Sequence, residues 1–147
     1  LGGKKPADIQ LIASLAGGSL GKALRWTENT SLADRKTLFV AINHLNTDSV
    51  SAIFTCAELL GEDKEDVLEK LDLIKLWFRD CAVSKLTNRS QYFINTDLSS
   101  MASTVSARVS WVNLFKKLQI VNETQAAVLE NVNIRLAIEA MLLRLSH

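Results

Sequence analysis

Proline occurs once, at Pro6, and glycine only six times in the 147 residues. A chain so poor in turn-makers cannot support many tight β-hairpins, whereas long helices need few breakers. Two cysteines, Cys56 and Cys81, are too few and too far apart for a disulfide framework or a metal-ligand set. They read as buried thiols of a protein in the reducing cytoplasm. Charge of one sign is also lacking: 17 Lys+Arg stand against 16 Asp+Glu, a net charge of +1. That balance gives no strong field for phosphate backbones or anionic lipid, so direct nucleic-acid binding is not expected. Every apolar run is broken well before the roughly 20 residues of a membrane span, and no membrane association is expected. Aromatic residues make up 6% and do not alternate with basic ones, as a base-stacking surface would require.

Apolar residues are plentiful, at 48% with a mean hydropathy of +0.11. Val67, Leu71, Ile74, Phe78 and Cys81 recur at steps of four and three, as do Trp111, Leu114, Leu118, Val121, Gln125 and Val128. Both are helix faces, and the expected fold is an all-α helical array. Short helices are expected over 8–15 and 19–26, separated by Gly17-Gly18. The polar run Thr27-Glu28-Asn29-Thr30-Ser31 then divides residues 1–30 from a longer helical unit, 31–147. Within that unit Ser31 and Asp34 resemble a capping box that opens a helix to about residue 45. Asn46-Thr47-Asp48 is a turn and cap, and Gly61 ends the helix lined by Val50, Ile53, Ala57 and Leu60. Asp63 opens a helix to about residue 86 whose apolar face, widened by Leu68, Leu73, Leu76 and Trp77, suits a central helix contacted from two sides. A loop is expected over 87–95. Asp97 and Ser110 are candidate caps for the next two helices, although one continuous helix from Ser103 also fits. Asn131 suits a left-handed turn, and Asn133 can cap a last helix over 134–145. Leu1 in place of Met, without a signal-peptide pattern, reads as an edge that other sequence precedes.

Catalytic chemistry has little to stand on. His44 sits near a helix end and His147 is last, and no metal-ligand spacing runs from either. No Gly-x-Ser-x-Gly elbow and no phosphate-binding loop occur, so no cofactor is expected. The carboxylates Glu62, Asp63, Glu65, Asp66 and Glu69 are interleaved with Lys64 and Lys70, and Asp66 with Lys70 forms a favourable i,i+4 pair, so they read as a solvated helix start. Lys116-Lys117 likewise reads as wet surface. Trp77 and Trp111 fall in core phase, while Trp26, beside the polar linker, is a candidate for packing between modules. Surplus apolar helix faces without catalytic groups point to a protein partner. An alternative is a ligand-sensing domain with Trp77, Phe78 and Trp111 around an apolar cavity.

Four stretches carry a family resemblance. Residues 9–24, ending Gly17-Gly18-Ser19-Leu20-Gly21-Lys22-Ala23-Leu24, resemble the end of the helical lid of clamp-loader AAA+ proteins. The run Asn131-Val132-Asn133-Ile134-Arg135-Leu136-Ala137-Ile138-Glu139-Ala140-Met141-Leu142 is similar to the last helix of the delta-prime family of bacterial DNA polymerase III. Leu73-Ile74-Lys75-Leu76-Trp77-Phe78-Arg79-Asp80 resembles that family's central collar helix, and Ile94-Asn95-Thr96-Asp97-Leu98 its following loop. Ile134 stands where the family often has proline. Gly21, followed by Lys22, stands where ATP-hydrolysing relatives carry a nucleotide-sensing arginine, which favours the delta-prime type over an ATPase-active motor subunit. The resemblance implies the tail of a lid followed by a collar domain that holds the clamp-loader ring together for DNA replication, with no catalysis of its own. The implied partners are motor and delta-type subunits. Asn131, Asn133, Arg135 and Glu139, with Trp26, are the candidates for joint and interface, Arg135–Glu139 being equally readable as an intrahelical pair. Gly18, Ser19, Gly21 and Lys22 mark the lid motif.

Overall fold

The computed structural model describes residues 32–46, 48–87, 93, 95 and 98–147, with only the backbone at 32 and 33. Expectations for residues 1–31, Ser31 as a cap among them, and for Asp97 lie outside the described residues. The rest is built from six helices: α1 (Leu32–Asn43), α2 (Val50–Leu60), α3 (Lys64–Leu86), α4 (Ser99–Ser106), α5 (Trp111–Leu129) and α6 (Ile134–Leu145). No strand occurs among the described residues. The expected all-α array is the observed one.

Local chemistry explains most of the boundaries. After α1, the His44 ring meets the Val40 carbonyl at 2.8 Å, so this histidine serves the helix end. The cap of α2 differs from expectation: Ser49, not Asp48, accepts the Ala52 N–H, at 3.2 Å. Asp48 instead donates its N–H to Asn46 Oδ1, which makes the preceding turn. Gly61 closes α2 with φ of 75°, a conformation that a Cβ makes costly. Asp63 Oδ2 accepts the Asp66 N–H at 3.0 Å and starts α3. α4 begins after Leu98, which offers no side-chain cap, and stops at Ser106, two residues short of expectation. A break at 107–110 separates α4 from α5, so the two-helix alternative is the one observed. Ser110 caps α5 through the Asn113 N–H, as expected.

α3, 23 residues and about 35 Å long, is the axis of the fold. It packs against α4 and α5 and also touches α1 and α2, while α6 lies against α5 and α2. Every residue from 71 to 84 is buried, which is the two-sided central helix that its apolar breadth implies. Trp77, fully buried, stacks on Phe39 with centroids 5.0 Å apart, and its indole N–H donates to Asn43 Oδ1 at 3.0 Å. Trp111 departs from its expected core position: it is only partly buried and stacks on Phe115 at the start of α5. Trp77 and Phe78 lie in the core, whereas Trp111 is only partly buried. Cys56 and Cys81 are free thiols in the core. Burial pushes Cys56 up to about 11. Cys81 is raised as well, by burial and by the Asp80 carboxylate, with Lys117 opposing. Both stay protonated at neutral pH and act as small apolar groups.

Candidate functional site

The joint between α5 and α6 brings four of the sequence candidates together. Asn131 has φ of 62°, and its N–H bonds to the Val128 carbonyl while the next N–H, from Val132, reaches Ala127 at 3.4 Å. This pair of bonds is a Schellman motif, and asparagine is the residue that tolerates its left-handed position when glycine is absent. Asn133 Oδ1 then accepts the Leu136 N–H at 3.0 Å and caps α6. The Asn131 side chain is held from outside, by Lys64 Nζ at 2.6 Å, so the start of α3 locks the joint. Arg135 divides itself between Glu139 on its own helix, at 3.8 Å, and Glu62 before α3, at 3.9 Å. The intrahelical pair is thus present beside a second contact within the chain, and each pair is long and partly exposed and contributes at most a few tenths of a kcal/mol. Asn133→Ala is expected to cost about 1 kcal/mol of stability through the lost cap. Asn131→Val, with a branched Cβ at positive φ, should cost more than Asn131→Gly, which keeps the turn; urea titration of the three variants checks the order.

A second set of polar groups lies inside the array and is invisible to periodicity. Asp80 accepts the Asn95 N–H at 2.7 Å and the Asn95 side-chain amide at 2.8 Å, and pairs with Arg79 at 2.9 Å. Asn95 in turn accepts from Arg35 of α1. Asp72 accepts from Gln125 at 2.8 Å, and Lys75 bridges Asp72 and Asn122, which registers α3 against α5. Lys85 and Ser84 reach the carbonyl and hydroxyl of Ser106, so α4 is registered too. Lys117, expected on wet surface, turns inward and donates to the Leu145 carbonyl at 2.9 Å. Burial lowers its pKa, with Cys81 acting the other way. Lys116 alone keeps the exposed position expected for the pair. Each network satisfies charges that would be costly if buried unpaired, and each joins elements distant in sequence.

What faces outward is different in kind. α6 buries Ile138, Met141, Leu142 and Leu145 against the core, yet its opposite side exposes Leu136 by 65% and Leu143 by 53%, with Ala140 between them. Leu129 at the end of α5 and Val132 in the joint are exposed as well. Among the described residues the other large exposed apolar side chains are Val50, Phe54 and Val112, on α2 and α5. A shallow cleft of about 340 Å³ between α1 and α2 is lined by Val40, Ala41, Leu59, His44 and short hydroxyl side chains. Among the described residues no three potential metal ligands come together, and no helix is long and apolar enough to cross a membrane. The carboxylates of 62–69 form the exposed start of α3, where Asp66 holds Lys70 at 2.8 Å. Trp26 and the residues Gly18, Ser19, Gly21 and Lys22 lie outside the described residues.

A family model described as "DNA polymerase III, delta subunit, C terminal" matches residues 29–147. No curated protein and no solved structure matches the chain.

Proposed function

Because the chain belongs to the family of C-terminal domains of the DNA polymerase III delta subunit, we propose that it is an assembly domain: a collar that holds a clamp-loader ring together while other parts of the ring load the sliding clamp. The observation that carries this reading is the outer side of α6. A helix that buries one apolar stripe in its own domain and presents a second one outward has two partners to satisfy, and only the first is found among the described residues. The buried charges support it from the other direction, since they engage one another and fix helix register rather than converge on a substrate. In this reading the domain is non-catalytic, and its task is to bury apolar helix faces against the corresponding domains of motor and delta-type subunits. Within the clamp loader, the Asn131-Val132-Asn133 joint and the Gly21-Lys22 pair, where ATP-hydrolysing relatives carry an arginine, support a delta-prime type of subunit. Residues 1–30 are proposed as the tail of the lid, and 31–147 as the collar.

Mixing the chain with motor and delta-type subunits at micromolar concentration, followed by size-exclusion chromatography with light scattering, tests this. A complex of the summed mass is expected. A folded chain that elutes alone in every mixture would overturn the assembly role.

A further inference from the structure

The assembly reading leaves open which surface is used and what meets it. Resting on that reading, we infer that the outer face of α6 seats one amphipathic helix of a neighbouring clamp-loader subunit, and that this helix carries Lys or Arg at the end lying over Glu62. The exposed residues Leu136, Ala140 and Leu143 step by four and three, so they fall on one narrow line along α6. A line of that width matches the seam between two packed helices rather than a flat contact. Ala140, small and central, lets a second helix approach between the two leucines. By contrast Val112 stands beside the exposed Asn113 and Lys116, and the exposed pair Val50 and Phe54 on α2 runs into the exposed charge of Glu58 one turn on.

Charge sets the polarity of the guest. At the far end of α6, Arg144 is matched by Glu123 at 2.7 Å and Lys117 sits on the Leu145 carbonyl, so that end is not acidic. At the near end Glu58, Glu62, Asp63 and Glu65 are all exposed. The basic groups there are already engaged: Lys64 with Asn131, Lys70 with Asp66, and Arg135 at long range with two carboxylates. The corner is therefore net acidic, and an incoming helix with a basic end there gains attraction and a fixed direction.

The test uses the full chain and the partner subunits, with affinity measured at low and high salt. Leu136→Asp/Leu143→Asp is expected to weaken assembly more than about 100-fold, because two exposed anchors are lost and charges are placed in the seam. Glu62→Lys should weaken it about three- to tenfold at low salt and hardly at all at high salt, with Glu62→Gln between wild type and Glu62→Lys. Val112→Asp should assemble as wild type does. Circular dichroism of each variant confirms the helices are intact, as these positions are exposed. Wild-type affinity in the double variant would sink the α6 seat while leaving the assembly role standing. Unchanged or tighter binding by Glu62→Lys would remove the basic-ended guest. Dimerisation of the chain by itself, abolished by the same double variant, would make a second copy the occupant and overturn the proposal. Failure of the wild-type chain to assemble at all would instead strike the underlying reading.

Discussion

Replacing Trp77 with alanine is expected to lower the free energy of unfolding by about 3–5 kcal/mol, the range for deleting a fully buried aromatic side chain. The ring lies against Phe39 at an interplanar angle of 13° and ties the middle of α3 to α1. Its removal opens a cavity that the surrounding helices can close only in part. It also leaves Asn43 Oδ1 without the indole donor that it has at 3.0 Å. Domains of this size are typically stable by roughly 5–15 kcal/mol, so the variant approaches the unfolding threshold at room temperature. Trp77→Phe retains an aromatic partner for Phe39 and gives up the hydrogen bond and some volume, so a smaller loss, about 1–3 kcal/mol, is expected. Urea unfolding followed by circular dichroism measures both. A loss below about 1 kcal/mol in Trp77→Ala would show that α1 and α3 are held by something other than this stack.

Asp80→Ala should be comparably severe, by a different route. The carboxylate is 1% exposed and receives two hydrogen bonds from Asn95 and an ion pair from Arg79. Breaking a buried pair from one side costs about 3–5 kcal/mol, mostly because the opposite charge stays in the interior without its counter-ion. The two backbone and side-chain donors of Asn95 lose their acceptor as well. Because Asn95 is the bridge between Asp80 and Arg35, the damage extends beyond α3. Hydrogen exchange should show faster opening of α1 and of the backbone at residue 95, more than at α6. Asp80→Asn keeps an acceptor of the same shape but removes the charge facing Arg79, so it should fall between wild type and Asp80→Ala. A variant with both Asp80 and Arg79 replaced by apolar residues of similar volume should recover part of the loss, since removing both charges removes the uncompensated one.

Trp77 and Asp80 also mark where sequence reasoning reaches and where it stops. Trp77 is legible: its place on the widened apolar face of a long helix puts it in core phase, and it is fully buried there. The caps at Asp63, Ser110 and Asn133 and the stops at Gly61 and Asn131 are legible for a related reason, since each depends on one side chain and a backbone within three or four residues. Ser49 shows the limit of even that local chemistry. Asp48 is an equally good cap by type, and only the turn made by Asn46 decides that the helix starts one residue later.

Asp80 is not legible. Its main partner is 15 positions away, and that partner's own donor, Arg35, is 60 positions from it. Periodicity registers a charged residue on an apolar face only as an interruption; it has no access to the group that will sit opposite. Lys117 is misplaced by sequence for the same reason, because its acceptor is the Leu145 carbonyl, 28 positions on. The assembly candidates fall between these cases. The joint residues Asn131 and Asn133 have the geometry their types suggest, whereas the exposed line of Leu136 and Leu143 becomes distinguishable from core only once the packing of α6 on α5 and α2 is known.

The most direct measurement is hydroxyl-radical footprinting of the chain, free and within the reconstituted clamp loader, read at single side chains by mass spectrometry. Assembly through the outer face of α6 predicts that oxidation of Leu136 and Leu143 falls about tenfold or more on complex formation, while exposed Val112 reacts equally in both states. Equal oxidation of the two leucines, free and assembled, would contradict it.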